Sequence, residues 1–260
     1  MNKDDFRYML RGRQLNALTN KDLTLLHPVT KQQEAKDKAL LVLHGFSSTP
    51  AVYRFLIPQI KHYDAIICPA LPGHAESINA FSIATAADWF QATSDVCSSL
   101  IKSYEKVDVL GLSLGGLLAC ELSKKFSLNH LFLLAPALKI HMNAAFLMKL
   151  AKVLKLCGFV QMRNAAGDLM TNEHAEIAYR RLPLTTIIEM LQLAQHYQWV
   201  APSCPVDLFL GRNDHVVNVD AVEQLFSPLP NTTIHWLENS AHVLPLDKDL
   251  KSIIQCINKG

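Results

Sequence analysis

Short apolar runs alternate along this chain with segments whose apolar residues recur at helical spacing, and this alternation constrains the fold more than any other feature. Strands that are apolar on both faces and are joined by helical crossovers are typical of a mostly parallel sheet covered on both sides. The runs are residues 39–44, 65–69, 107–112, 130–135, 206–211 and 233–237, with a further candidate at 23–29. The chain is therefore predicted to be an α/β protein with a mostly parallel central sheet flanked by helices.

The segments between these runs carry apolar residues with a period near 3.6, which predicts helices. These helices are predicted over residues 51–62, 86–104, 114–126, 219–226 and 248–258. The alternation stops between Pro136 and Pro202, where a long stretch lacks strand-like runs and is rich in helix formers. The sequence thus predicts a core made of residues 1–136 and 202–260, with residues 137–201 inserted as a helical lid.

Composition narrows the classes of function. Half of the 260 residues are hydrophobic, which is enough for a large core in one α/β domain. The formal net charge of +2 leaves no basic excess of the size that nucleic-acid binding requires, so no nucleic-acid partner is expected. The composition therefore favours a protein that acts on a small molecule.

Cysteine usage and the first residues of the chain indicate a compartment. The six cysteines form no C-x-x-C pair and lie mostly in apolar or helical segments, which predicts reduced, mostly buried thiols. Early acidic residues, together with Arg11 and Arg13, argue against a signal peptide. No stretch approaches the roughly 20 uninterrupted apolar residues of a membrane-spanning helix. The sequence therefore predicts a soluble, cytoplasmic protein.

The hexapeptide GLSLGG, residues 111–116, places Ser113 where an apolar run gives way to a helical segment. At such a junction strained backbone exposes a serine oxygen, and small neighbours avoid a clash. A serine that merely caps the following helix would fit the same pattern. The hexapeptide alone does not decide between a nucleophile and a helix cap.

A serine hydroxyl becomes a nucleophile only when a neighbouring base takes its proton, so the chain must also supply a histidine and an orienting carboxylate. Asp214 follows the strand predicted at 206–211, and His242 follows the one predicted at 233–237. The chain order is thus serine, acid, histidine, as expected for this fold class. The three residues are predicted to form a catalytic triad.

Other side chains compete for two of these roles. Asp207 lies within a predicted strand and Asp220 in the following helix, whereas Asp214 occupies the loop beyond the strand, where such folds gather their ligands. His215 adjoins Asp214 too closely in sequence, and His235 alternates within a strand. The loop positions are therefore favoured for both the acid and the base.

Besides the triad, a catalytic site of this kind needs hydrogen-bond donors that stabilise the negative oxygen formed when a carbonyl is attacked. In the tripeptide His44-Gly45-Phe46 a glycine ends a predicted strand, which lets the next amide turn toward the serine. The backbone N–H groups of Phe46 and of Leu114, the residue after the serine, are the expected donors.

Together these features resemble the α/β-hydrolases, and within them the bacterial carboxylesterase and monoacylglycerol lipase branch. The motifs that carry the resemblance are His44-Gly-Phe46 with Thr49-Pro50, Leu71-Pro-Gly-His74, Asp88-Trp89, GLSLGG at 111–116, Arg212 to Asn218, and Ser240 to Asp247. The resemblance implies the triad Ser113, Asp214 and His242, an oxyanion hole at Phe46 and Leu114, and a helical lid. Residues 137–201 match no motif, so the choice of substrate does not follow from it.

One lid segment is amphipathic. Phe146, Leu150, Val153, Leu154 and Cys157 fall on one helical face, and Lys149, Lys152 and Lys155 occupy another. An ordinary lid helix with its lysines in water fits this pattern. So does a helix whose apolar face roofs an acyl pocket while its lysines favour transient contact with an anionic lipid surface.

The sequence therefore predicts a serine hydrolase that cleaves carboxylic esters of apolar acyl groups, with monoacylglycerols among the candidate substrates. No metal or organic cofactor is expected, because the triad needs none and no metal-ligand spacing is visible. Hydrolysis of thioesters or of carbon–carbon bonds would use the same triad. A ligand-binding protein without catalysis is a further alternative.

Overall fold

The protein is described by a computed structural model that covers residues 2–259. Its strands are β1 (Phe6–Leu10), β2 (Arg13–Ala17), β3 (Val29–Gln32), β4 (Lys38–Leu43), β5 (Ala65–Cys68), β6 (Lys106–Leu112), β7 (His130–Leu134), β8 (Gln161–Arg163), β9 (Glu176–Tyr179), β10 (Arg181–Pro183), β11 (Val206–Gly211) and β12 (Thr232–Leu237). Its helices are α1 (Ile78–Ile83), α2 (Ala86–Ser103), α3 (Leu114–Lys125), α4 (Ala144–Leu156), α5 (Leu184–His196), α6 (Val219–Phe226) and α7 (Leu250–Ile257).

Seven strands form the central sheet in the order β12-β11-β7-β6-β4-β5-β3. Each neighbouring pair is parallel except β3 with β5, which is antiparallel at one edge. The prediction of a mostly parallel sheet is thus confirmed. The strand predicted at 23–29 is wrong, because Asp22–Leu26 forms a 3₁₀ helix and the edge strand begins only at Val29.

Both faces of this sheet are buried, as continuous apolar strands require. In β4, Leu41 and Leu43 belong to the apolar cluster on one face, with α2, α3 and α6. Leu40 and Val42 of the same strand belong to the cluster on the other face, with α7. Successive side chains point to opposite faces, so a strand without polar alternation contributes to two cores at once.

The helix predicted at 51–62 is also wrong. Two short 3₁₀ helices, Pro50–Tyr53 and Ile57–Gln59, occupy this region. Proline lacks an amide hydrogen and clashes with the preceding turn of an α-helix, so Pro58 interrupts what the apolar spacing alone suggested.

The stretch predicted as a helical lid contains α4 and α5, but it also contains β8, β9 and β10. Strand β9 pairs antiparallel with β1 and so joins the amino-terminal hairpin in a three-stranded sheet, and β8 pairs with β10. The expectation that this stretch lacks strands is wrong, because strands of three or four residues are too short to show a period of two. The division into core and lid stays a prediction.

Among the residues that the structure describes, no helix has both the length and the apolar character needed to cross a bilayer.

Candidate active site

Ser113 lies at the junction of β6 and α3 with its backbone in the left-handed region, at φ 55° and ψ −113°. Its side chain makes no hydrogen bond to the amides of α3, so the helix-cap interpretation of this serine is wrong. A non-glycine residue at positive φ is strained and is held there by its surroundings. In this backbone conformation the serine faces a cavity and forms part of the cavity wall.

The glycine after this turn is required by close packing. A Cβ added to Gly115 would lie 2.1 Å from the carbonyl oxygen of Leu43, which is backbone and cannot rotate away. Helix α3 therefore approaches strand β4 more closely than any side chain allows. This approach places Ser113 beside the end of β4, where a Cβ on Gly45 would lie 3.4 Å from the Cβ of Ser113.

We expect Gly115→Ala to lower the free energy of unfolding by about 3 kcal/mol, because the added methyl group forces backbone apart. Gly158→Ala is the matched control: its φ is +87°, but nothing lies within 4 Å of an added Cβ. Backbone strain alone should cost that control about 1 kcal/mol. Urea unfolding of both variants measures the difference, and equal losses would contradict the close-packing argument.

The structure brings His242 and Asp214 together. Nδ1 of His242 lies 2.8 Å from Oδ2 of Asp214, and both residues are buried. The other carboxylate oxygen, Oδ1, accepts hydrogen bonds of 2.8 Å from the amides of Val216 and Val217. These three bonds fix the carboxylate and, through it, the orientation of the imidazole ring.

Each member of the pair favours the charged form of the other. Burial opposes ionisation of Asp214, but the facing His242 ring and the two amides outweigh burial and hold the pKa of this carboxyl below its ordinary value. Burial likewise opposes protonation of His242, but the charge and hydrogen bond of Asp214 outweigh it and raise the pKa of the imidazole. An imidazole with a raised pKa is a stronger base for a neighbouring hydroxyl.

The competing residues take no part in this pair, although His215 also lines the cavity. Asp207 bonds to His130 and His235 near the start of β11, at the opposite end of the strand from Asp214. Asp220 is exposed on α6. His215 is 77% exposed at its side chain and contacts Asp168 rather than Asp214.

The loop after β4 reaches the same cavity. Gly45, Phe46 and Ser47 line the cavity together with Ser113 and His242. Leu114 is fully buried at the start of α3, so its predicted contribution involves its backbone amide alone.

Two buried histidines fix this loop. Nε2 of His74 accepts a hydrogen bond of 3.2 Å from the amide of Ser47, and Nε2 of His44 accepts one of 3.0 Å from the amide of Leu71. Burial lowers the pKa of His44 to about 4 and that of His74 well below its ordinary value, so both rings stay neutral and can accept. The ring of Phe46 packs on Phe81, with centroids 5.5 Å apart. His74 is thus a positioning residue for the loop beside the serine.

Asp247, which closes the motif Ser240 to Asp247, holds the loop that carries His242. Its carboxylate accepts 2.9 Å from the amide of Ala241 and 2.8 Å from the amides of Met170 and Thr171. One buried carboxylate therefore ties the histidine loop to the segment predicted as the lid.

The cavity has a volume of about 430 Å³ and is lined chiefly by apolar side chains. Helix α4 contributes Leu147, Leu150, Ala151 and Leu154, and helix α5 contributes Leu184, Ile187, Met190 and Leu191. The predicted apolar face of α4 is only partly correct. Leu150 and Leu154 face the cavity, but the side chains of Phe146 and Val153 are 63% and 53% exposed. The apolar stripe of α4 is wider than the cavity that it covers.

Two acidic residues of the cavity wall, Glu176 and Asp168, were not predicted from the sequence. Glu176, the first residue of β9, is buried and accepts 2.9 Å from the amide of Gly167, and burial raises the pKa of its carboxyl. Asp168 accepts from the amide and the ring of His215. Both lie in the segment that matched no motif. Among the described residues, the one group of three possible metal ligands, Asp207, His235 and Cys256, lies outside this cavity.

A parallel sheet whose central strand ends in a strained serine, followed in the chain by a paired aspartate and histidine, is the architecture of the serine α/β-hydrolases. The model of the alpha/beta hydrolase family matches residues 40–251, and the chain belongs to that family.

The chain is also similar to two bacterial hydrolases. A thermostable monoacylglycerol lipase of Bacillus sp. (strain H-257) is 26% identical over 225 residues, which cover 83% of this chain and 87% of the lipase. A carboxylesterase of Bacillus subtilis (strain 168) is 22% identical over 220 residues, covering 82% of this chain and 87% of the esterase.

Solved structures share the fold. A metagenome-derived lipolytic enzyme superposes with a TM-score of 0.79 at 22% identity, covering 97% of this chain and all of the other. The monoacylglycerol lipase of Paleococcus ferrophilus gives a TM-score of 0.67 at 16% identity, covering 90% of this chain and 98% of the lipase.

Proposed function

We propose that the protein is a serine hydrolase that cleaves carboxylic esters through an acyl-enzyme, with Ser113 as nucleophile, His242 as base and Asp214 as orienting acid. The observation that carries the proposal is the 2.8 Å bond between His242 and Asp214 at the wall of the cavity that also contains Ser113. Relatives named carboxylesterase and monoacylglycerol lipase support the ester class.

The mechanism follows from the roles of these groups. Nε2 of His242 takes the proton of Ser113 as its oxygen attacks the ester carbonyl, and Asp214 stabilises the resulting imidazolium. The amides of Phe46 and Leu114 donate to the negative oxygen of the tetrahedral intermediate. His242 then gives the proton to the departing alcohol. Water then attacks the acyl-enzyme by the same steps and regenerates Ser113.

The cavity supports an apolar acyl group of small or medium length. Its volume of about 430 Å³ lies in the lower part of the range, about 300–1,000 Å³, that ligand pockets span. Leucine, isoleucine and methionine side chains from α4 and α5 line one part of its wall, and most of the other lining residues are apolar as well, which favours alkyl chains over charged acyl groups. A monoacylglycerol, with one acyl chain and a polar alcohol, fits this description.

Hydrolysis of p-nitrophenyl esters from acetate to palmitate tests the proposal. We expect kcat/KM to pass through a maximum at a small or medium chain length, because longer chains exceed the cavity. A folded protein that hydrolyses none of these esters would contradict ester hydrolysis. Activity on acyl-thioesters or on diketones in the same assay series would then identify the alternative reaction.

The outer side of α4 supports transient contact with a lipid surface. Phe146, Val153 and Leu156 are 63%, 53% and 87% exposed, and the exposed residues Lys149, Lys152 and Lys155 flank them. Exposed apolar side chains bordered by lysines are typical of helices that lie in an anionic membrane interface. We therefore propose that α4 contacts such a surface and that the substrate enters beside it.

Co-sedimentation with anionic and neutral vesicles measures this contact. We expect binding to anionic vesicles that falls about tenfold or more in Phe146→Ser/Val153→Ser, since each apolar side chain lost from the interface forfeits on the order of 1 kcal/mol. Val200→Ser is the control, because Val200 is 51% exposed and follows Trp199, which packs on Phe226 of α6. Equal and negligible binding to both kinds of vesicle would contradict the proposal.

A cytoplasmic location is also proposed. The six cysteines stand as free thiols, four of them buried, and this state is stable in a reducing compartment.

A further inference from the structure

Four side chains that the proposed hydrolysis does not use meet near the start of β11. Asp207, the second residue of that strand, lies between His130 of β7 and His235 of β12. Nε2 of His130 is 2.8 Å from Oδ2 of Asp207, and Nε2 of His235 is 2.6 Å from Oδ1. The thiol of Cys256, on α7, lies 3.7 Å from Nε2 of His235.

This arrangement differs from a cysteine–histidine–aspartate relay. In a relay the nucleophile and the acid face opposite nitrogens of the imidazole ring, so that a proton can pass through it. Here the thiol and the carboxylate both face Nε2 of His235. Three ligand atoms that converge on one point fit a bound cation better than they fit a nucleophile with its base.

The distances agree with a metal site. One ligand atom each from Asp207, His235 and Cys256 lie within 4.8 Å of one another. Around a tetrahedral zinc ion, bonds of about 2.0 Å to nitrogen and oxygen and about 2.3 Å to sulfur put the ligand atoms about 3.3 to 3.5 Å apart. The 2.6 Å contact between Asp207 and His235 must open slightly, and the 3.7 Å contact must close slightly.

The rings and the carboxylate are already oriented. His235 stacks on Phe209 with centroids 4.6 Å apart, and His130 stacks on Phe132 at 4.4 Å. His130 holds Oδ2 of Asp207, so the other oxygen, Oδ1, faces His235. Hydrogen bonds of this kind to a ligating carboxylate strengthen metal binding about 10- to 100-fold. The side chains of Asp207 and His235 are 15% and 31% exposed, which gives an ion access from solvent.

We propose that Asp207, His235 and Cys256 bind a divalent cation of the zinc class, with solvent as the fourth ligand and His130 as the positioning residue. A thiolate, an imidazole nitrogen and a carboxylate oxygen form a ligand set that zinc favours. On binding, the thiol proton leaves to solvent, the ring proton of His235 resides on Nδ1, and the cation occupies the space between the three ligand atoms. The ion would join α7 to β11 and β12.

This proposal is independent of ester hydrolysis. Asp207 is the second residue of β11 and Asp214 lies just beyond the other end of that strand, so the strand alone separates them by roughly 13 Å at the rise of a β-strand. A protein that binds the ion but hydrolyses no ester would contradict only the proposed function. A protein that hydrolyses esters but binds no ion would contradict only the metal site.

Cobalt titration of the 260-residue protein, freed of metal by chelator dialysis, tests the site. We expect one equivalent of Co²⁺ to give the thiolate-to-metal charge-transfer absorption and the intense visible bands of a four-coordinate ion. Cys256→Ala should lose the charge-transfer band, and Cys157→Ala, which changes an exposed cysteine at the end of α4, should keep it. His130→Gln should weaken binding about 10- to 100-fold.

A second measurement does not depend on cobalt. Zn²⁺ at 100 times its Kd should raise the Tm of the wild-type protein by about 5 °C and leave the Tm of a folded His235→Gln variant unchanged. Absence of both the absorption and the Tm shift in the wild type would overturn the proposal. So would a charge-transfer band that persists in Cys256→Ala or disappears in Cys157→Ala.

Discussion

Replacing Ser113 with alanine is expected to lower kcat for p-nitrophenyl esters by about 10⁶-fold, because loss of a triad serine costs that much in other serine hydrolases. The variant keeps His242, Asp214 and the loop at Phe46, so substrate binding should survive with KM within a few fold. The small residual rate would come from the remaining amides and from the cavity.

The matched control is Ser123→Ala, since Ser123 lies on the same helix, α3, and its hydroxyl donates only to the carbonyl of Cys120. Its kcat should stay within about twofold of the parent. A fluorophosphonate probe gives a second readout: it should add its mass to the parent and to Ser123→Ala, and not to Ser113→Ala. Turnover by Ser113→Ala within tenfold of the parent would show that another nucleophile acts.

Much of this site could be predicted from the sequence because parallel sheets collect their functional loops at one edge. Ser113, Asp214 and His242 each follow an apolar run. The strand assignments alone therefore predict that the three residues lie at the same edge of the sheet, where its parallel strands end. The loop at Gly45 follows β4, the neighbour of β6, and was predictable for the same reason.

Other features depend on contacts that no local pattern records. Glu176 enters the cavity because β9 pairs with β1, and the two strands are separated by more than 160 residues in the chain. The cluster of Asp207, His235 and Cys256 draws on two strands and a helix, so it shows none of the short ligand spacings that mark a metal site in sequence. The outward turn of Phe146 and Val153 could not be predicted, because spacing defines a stripe on a helix without saying how much of the stripe the core covers.

Replacing Asp214 with asparagine is expected to lower kcat/KM by about 10⁴-fold and to move the acid limb of the pH profile to lower pH. The amides of Val216 and Val217 both donate to Oδ1, so the oxygen of an asparagine would remain with them. Its NH₂ group would then face Nδ1 of His242, in the place of the present acceptor. A donor there keeps the ring proton on Nε2, where it prevents the imidazole from accepting the proton of Ser113.

The pH shift follows from the charge that is removed. His242 acts as a base only when neutral, so activity falls as the pH drops through its pKa, which Asp214 raises despite burial. Without the carboxylate that pKa falls, and the residual activity should persist to lower pH than in the parent. Asp220→Asn, on the exposed side of α6, removes the same charge away from the ring and should change neither rate nor profile. An acid limb that stays in place while Asp214→Asn loses less than tenfold in kcat/KM would mean that another carboxylate orients His242. Asp168 and then Glu176, which also raise the pKa of that histidine, would be the next residues to replace.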